Sequence, residues 1–378
     1  PLPKGNDPLA RFKRVLKNHL LYDYYGANLF RKYGNDYREK AIINTLDRME
    51  SWGLNTLGCW SKPAIWAKKR LPFTVFIGYR VRELAEQLPD VWDPRFANVL
   101  KRVLAKAKND PVINSAWNIG FFIFNEVHFK TPASLAGTIL ASSADQPAKI
   151  AWCERLRKKY GQIGELNRVW KTHYRSWEDM LKRKTKVNYR FLKEDAEQCF
   201  KDYLDRFFRI CSTTCKEYFP NHLYLGSRLH GKEHPLVLAA ADRYCDVISY
   251  NLYLKSLKGW TGPLPNLHRP VMATEWHFGA LDRGIFHTGL QPASNQEDRA
   301  EHYYEYVKSA LLNRLIIGTH WFQYLAQPCT GRGDGENYQI GMVDVTDTPY
   351  PELIRAIRKI GHRLYEIRFY DQDPGSFQ

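Results

Sequence analysis

Short apolar runs closed by polar residues constrain this chain more than any other feature. Eight of them, four to six residues long and rich in β-branched or aromatic side chains, fall at 25–30, 56–60, 73–77, 119–124, 223–226, 247–250, 271–274 and 316–321. Amphipathic stretches predict helices at 36–51, 93–108, 194–218, 295–313 and 351–368, several opened by an Asp or Asn cap or by a proline in the first turn. Near-continuous apolar strands separated by helices imply a parallel sheet buried on both faces. Eight such strands point to an α/β fold closed as a (β/α)8 TIM barrel, with an open doubly wound sheet as the alternative. The region 129–188, after the fourth run, carries helical stretches of its own at 146–160 and 164–170. It reads as an enlarged βα loop of the kind that builds substrate clefts, within a single catalytic domain spanning 1–378.

Composition narrows the class. With 378 residues, 44% of them apolar and 25% charged, the chain can bury a large core. No run of eighteen apolar residues occurs and the mean hydropathy is −0.50, so no membrane span is expected. The chain opens Pro1-Leu2-Pro3-Lys4, which fits a processed secreted chain as well as a trimmed one. Seven cysteines form no CxxC pair, and Cys211 and Cys215 sit four apart in a helical stretch, so free thiols are expected rather than a disulfide scaffold. A formal charge of +16 predicts attraction to nucleic acid, an anionic lipid surface or a sulfated polysaccharide. The excess is thickest at Arg168, Lys171, Arg175, Lys182, Arg183, Lys184, Lys186 and Arg190, a stretch whose ordinary reading is a solvated helical face. Aromatic residues reach 14%, which suits core packing and sugar stacking alike.

Polar residues at the carboxyl ends of barrel strands point into the active site, so the residues ending each run are the candidates. Asn125 and Glu126 end the fourth run, and Glu275 ends the seventh, followed by Trp276 and His277. Glycoside hydrolysis needs such a pair: one carboxyl protonates the leaving oxygen while the other attacks or stabilises the oxocarbenium-like centre. Fourth and seventh strand ends face each other across a barrel mouth at a distance compatible with the roughly 5–5.5 Å of retaining enzymes. Asn125 beside the acid is suited to hold a sugar 2-hydroxyl. Taken singly, each glutamate could be an ordinary charge capping the following helix.

Several stretches give the sequence a resemblance. They are Tyr25-Gly-Ala-Asn-Leu-Phe-Arg-Lys-Tyr-Gly34, Ser51-Trp-Gly-Leu-Asn-Thr-Leu-Gly58, Thr274-Glu-Trp-His-Phe-Gly-Ala280, His320-Trp-Phe-Gln-Tyr324 and Gly331-Arg-Gly-Asp-Gly-Glu-Asn-Tyr-Gln-Ile-Gly341. Through them the chain resembles glycoside hydrolase family 50, the β-agarases. The resemblance implies Glu126 as general acid/base and Glu275 as nucleophile, acting on β-1,4 linkages of a red-algal galactan and releasing disaccharides from a chain end. Secretion to the periplasm or cell exterior follows from a polymer substrate.

Other strand-end residues take roles by placement. Arg228 and Tyr250 are positioned to hydrogen-bond the nucleophile and keep it ionised, or else are a structural Arg and a packed Tyr. His320 and Trp321 end the eighth run, where an indole can floor a sugar subsite or fill the core. Trp60, Asn55 and His277 are subsite or structural residues by the same argument. The loop 331–336 lacks the lysine of a phosphate cradle and the ligand spacing of a calcium loop, so Asp334 or Glu336 is expected to reach sugar hydroxyls. Neither a zinc motif nor a cofactor motif is present, and neither group is expected. Charge qualifies the substrate. A sulfated galactan such as carrageenan or porphyran is the alternative to neutral agarose, a non-catalytic galactan-binding barrel is another, and a nucleic-acid binder is not expected, since no such motif accompanies the charge.

Overall fold

The computed structural model describes residues 2–16, 18–262 and 267–370. In chain order the elements are β1 (Lys13–Leu16), β2 (His19–Tyr22), α1 (Tyr24–Tyr33), α2 (Tyr37–Ser51), α3 (Pro63–Trp66), β3 (Phe73–Ile77), β4 (Glu83–Ala85), β5 (Leu88–Pro89), α4 (Pro94–Lys108) and β6 (Asn118–Ile123). There follow α5 (Pro132–Ala141), α6 (Pro147–Tyr160), α7 (Ile163–Trp170), α8 (Trp177–Lys182), α9 (Tyr189–Tyr218), β7 (Leu223–Tyr224), α10 (Pro235–Tyr244) and β8 (Ile248–Asn251). The last are β9 (Val271–Trp276), α11 (Gln296–Leu311), β10 (Ile316–Trp321), α12 (Pro351–Gly361) and α13 (Leu364–Phe369). This is α/β content, and the chain divides into two compact units.

The unit of residues 73–251 and 261–272 is built on β3, β6 and β7, which pair in parallel in the order β3-β6-β7. Gly120 makes the β6–β7 approach possible, because a Cβ there would lie 2.2 Å from the Leu223 carbonyl oxygen. Helix α4 starts where Asp93 accepts from the Arg95 amide at 2.9 Å and Pro94 pre-sets the first turn, and it buries Phe96, Leu100 and Leu104 at helical spacing. Thirty residues long, α9 lays an apolar stripe from Leu192 to Cys215 against α4, α5 and α10. The region 129–188 folds as α5 to α8, joined to α9 through buried Asp195, which accepts from Lys159, Tyr160 and the Trp170 indole at 2.6, 2.7 and 2.8 Å.

The unit of residues 1–72, 252–260 and 273–378 holds the β1–β2 antiparallel hairpin, the helices α1 to α3, and β9 from Ala273 onward beside β10. Helix α11 is capped by Asn295, which accepts from the Asp298 amide at 3.0 Å while Asp298 reaches back to the Ser294 amide at 2.7 Å. It packs against α12. All seven cysteines are free thiols.

Six of the eight runs are strands, and two are corrected. Residues 25–30 lie in helix α1, because Asp23 accepts from the Gly26 amide at 2.8 Å and so caps a helix in place of a strand start. Residues 56–60 hold a single bridge residue in place of a strand: Leu57 donates to the Pro72 carbonyl, and the chain then turns, with Ser61 donating back to Gly58. One expected helix, 351–368, is two. Gly361 lies against the backbone of Trp52 and Gly53, and the chain turns there before α13.

Candidate functional site

Glu126 sits just past β6 in a strained stretch. Phe124, Glu126 and Arg228 have φ of +65°, +48° and +50°, the left-handed region that side chains other than glycine rarely adopt. Each such residue costs on the order of 1–3 kcal/mol and persists only where its surroundings hold it. The Phe124 ring is held among Tyr79, Phe96 and Phe207, with centroids 4.6, 5.9 and 5.8 Å away. The Glu126 amide is shared between the carbonyls of Ser227 and Arg228, at 3.2 and 3.3 Å. These bonds aim a half-buried carboxyl whose Oε1 accepts from Asn251 Nδ2 at 2.8 Å. Asn251 Oδ1 in turn accepts from Arg228 Nη2 at 3.2 Å, and the Arg228 guanidinium is fully buried over the Phe122 ring. Asn125 Oδ1 lies 3.5 Å from the same Asn251 amide nitrogen.

A further carboxyl stands in this neighbourhood. Glu233 is buried, accepts from the His230 amide at 3.4 Å and lies 3.3 Å from His230 Nε2. Burial raises its pKa above the usual carboxylate value, His230 opposes that shift, and the charge of Glu126 adds to it. Tyr250 is buried and its phenol pKa is raised by burial first and by Glu233 second.

Glu275 belongs to β9, all six of whose residues are buried. Its carbonyl accepts from the Leu252 amide at 2.8 Å, and its carboxyl Oε1 accepts from the Tyr253 hydroxyl at 3.0 Å. Tyr253 is fixed in turn: its carbonyl accepts from Gln291 Nε2 at 2.5 Å and its ring meets His277 edge-on at 4.8 Å. Trp276 anchors the strand end, stacked on Tyr306 at 3.9 Å and edge-on to Trp321 at 4.8 Å.

His277 spends both ring nitrogens on main chain. Nδ1 donates to the Phe322 carbonyl at 3.1 Å, and Nε2 accepts from the Leu290 amide at 2.9 Å. Burial drives its pKa down to about 3, so the ring is neutral. The loop it holds must carry glycine at 289, where φ is +75° and a Cβ would lie 2.4 Å from Nε2. With no ring nitrogen left over, its place is in holding this loop and not on a sugar.

The remaining candidates are placed as follows. Trp321 is half-buried, with its indole N–H donated to the carbonyls of Gln323 and Ile340 at 3.0 and 2.9 Å. His320 is half-buried with its ring against Gly58. Trp60 is exposed, and so is Asn55, whose Oδ1 accepts from the Thr56 hydroxyl at 3.1 Å. Asp334 and Glu336 both grip Arg332, at 2.5 and 2.7 Å, and Glu336 also accepts from Gln327 at 2.8 Å. Their carboxylates are thus tied to a cation that lies over the Phe322 ring at 5.6 Å. The hydrogen bond to Asp334 holds Arg332 above its ordinary pKa, and Glu336 and Glu275 add to the effect.

Sequence reasoning missed Asn251, Tyr253, Glu233 and Arg332. The signal for the first was present: β8 ends at Asn251, one residue beyond the apolar run 247–250, so its first polar residue was the one to read. Tyr253 follows two residues later, outside any strand pattern.

No family model matches the chain. Beta-agarase B of Vibrio sp. (strain JT0107) is 34% identical over 97% of this chain and 42% of its own length. Over nearly all of its length the chain is similar to β-agarases. A solved exo-β-agarase matches 97% of the chain and 55% of its own length, at 34% identity and a TM-score of 0.89. The agarase AgWH50C does so at 34% identity and a TM-score of 0.88, over 97% and 57%. The chain thus spans less than half the length of the curated relatives it matches. The five stretches that carried the resemblance all fall in the unit that contains Glu275.

Proposed function

We propose that this chain is the catalytic region of a retaining, exo-acting glycoside hydrolase that cleaves β-1,4 linkages of an agarose-type galactan and releases disaccharides. Its strand–helix alternation and the agarase relatives support a (β/α)8 frame for it. In this reading Glu126 gives its proton to the leaving glycosidic oxygen while a Glu275 carboxylate oxygen bonds the anomeric carbon and that C–O bond breaks. Water then attacks the ester, giving its proton to Glu126, and the nucleophile leaves as carboxylate. A carboxylate serves as nucleophile only if it is ionised and aimed. The observation that carries the reading is therefore the Tyr253 hydroxyl donated to Glu275 Oε1 at 3.0 Å, at the end of a fully buried strand in one of the stretches that carry the resemblance to the agarases. Arg228 supports Glu126 through Asn251, Asn125 is the candidate for the sugar 2-hydroxyl, and Trp321, Trp60, His320 and Asn55 are the subsite candidates. Asp334 and Glu336 act through Arg332. A polymer substrate places the protein outside the cell or in the periplasm.

The charge of +16 favours a second substrate class, the sulfated galactans. Product analysis on agarose, porphyran and carrageenan oligosaccharides separates the two. Disaccharides from agarose, with the first-formed product in the β-configuration by proton NMR, are the expected result. Glu275→Ala should lower turnover at least ~10⁴-fold on the scale of mutated nucleophile sites. Full activity in that variant, or an inverted first product, would overturn the mechanism.

A further inference from the structure

This inference rests on the assignment of Glu126 as the acid/base. We propose that Asn251 is a positioning residue that decides which oxygen of Glu126 carries the catalytic proton, confining it to Oε2. A carboxamide has two faces, one accepting and one donating, and its orientation follows from its partners. Arg228 settles it here, since a guanidinium offers only donors. Its Nη2 lies 3.2 Å from Asn251 Oδ1, so the carboxamide oxygen faces Arg228 and the NH2 faces Glu126 Oε1 at 2.8 Å. Turning the amide over would set NH2 against guanidinium N–H and an amide oxygen against a carboxylate oxygen. Asn251 is 2% exposed and Arg228 fully buried, which leaves such an arrangement no solvent to relieve it.

An oxygen that receives an N–H keeps a second lone pair, but a carboxyl hydroxyl oxygen is a weaker acceptor than a carbonyl oxygen, so the Asn251 bond favours the form in which Oε1 is the carbonyl oxygen. Oε1 is therefore the acceptor in both charge states of Glu126, and the proton resides on Oε2. The same oxygen that gives the proton to the leaving group takes one from water in the second step, so the lone pair used is the same on both occasions. Asn125 Oδ1, 3.5 Å from the same nitrogen, lies near the second N–H and leaves the sense of the amide unchanged.

The test compares two leaving groups on the same glycone. Cleavage of an agarose oligosaccharide expels an alkoxide and needs the acid, whereas a 4-nitrophenyl glycoside of the released disaccharide expels a stable phenolate and needs it little. General acid catalysis is typically worth about 10²–10⁴-fold. Asn251→Ala should therefore lower kcat on the oligosaccharide by ~10²-fold with KM within a few-fold, and lower kcat for the formation of the glycosyl-enzyme from the nitrophenyl glycoside by less than ~10-fold. Asn251→Asp keeps the shape and should show the same split, which carries the test if the alanine variant does not fold. Glu126→Ala is the benchmark and should show the split more strongly. If the benchmark splits and neither Asn251 variant does, the proposal fails while the acid/base assignment stands. If Glu126→Ala loses both substrates equally, the assignment itself fails and the proposal with it.

Discussion

A histidine beside a candidate nucleophile invites a catalytic or subsite role, and position in the sequence offers nothing against it. His277 shows what position leaves out. Its partners, the Phe322 carbonyl and the Leu290 amide, lie 45 and 13 residues away and are main-chain groups, invisible in a list of side chains. The consequence is a pH dependence with a definite sign. In the unfolded chain the imidazole takes a proton below its ordinary value of 6.5, but in the fold burial delays this to about 3. The unfolded state binds more protons in that window, so stability is complete above pH 6.5 and falls as pH drops toward 3. The slope from this residue approaches about 1.4 kcal/mol per pH unit. Urea midpoints measured between pH 4 and 7 should therefore fall more steeply for the native chain than for His277→Asn. Parallel curves would mean that the folded ring accepts a proton.

At the scale of elements, helices with a cap and a long apolar stripe were legible in the sequence. The expected 93–108, 36–51 and 146–160 differ from α4, α2 and α6 by one residue at their starts. Residues 25–30 have the aromatic content of a strand, but Asp23, three residues before Gly26, is the stronger signal and starts a helix. The region 129–188 read as loop decoration, yet it packs on α9 through α5, and one acid of α9 ties α6 and α7 to it as well. Asp195 takes the Trp170 indole, the Tyr160 hydroxyl and Lys159, and the first of these donors is fully buried. Removing the acceptor strands those donors, which costs more than the bonds themselves contribute. Asp195→Ala should destabilise the fold by about 2–4 kcal/mol, read as a lower denaturant midpoint with an unchanged m-value. A loss under about 0.5 kcal/mol, the level of an ordinary surface change, would show that the acid is not the tie between these helices.

For the whole molecule, the alternation of strand and helix was the legible part, while the pairing of strands into sheets depends on contacts no local pattern contains. Charge is the other global quantity, and its reading is sharper than the fold's. Among the eight basic residues of 168–190, all exposed, only Arg168 and Arg183 form a side-chain ion pair within 4 Å among the described residues; Arg175 and Lys182 also face Asp179 and Glu178, and the rest of the excess is open to solvent and ligands. Ion pairs on the surface contribute little to stability, so an excess of +16 says little about folding and much about encounter with a polyanion. Salt shortens that reach to about 10 Å at 0.1 M and about 3 Å at 1 M. Neutral agarose oligosaccharides should give a kcat/KM that changes less than ~2-fold between 0.05 and 0.5 M sodium chloride, because there is no charge on the substrate to screen. A sulfated galactan oligosaccharide should lose ~10-fold or more over the same range if the basic surface recruits it. Equal salt responses for the two sugars would remove charge as a determinant of substrate choice and leave the excess without a role in catalysis.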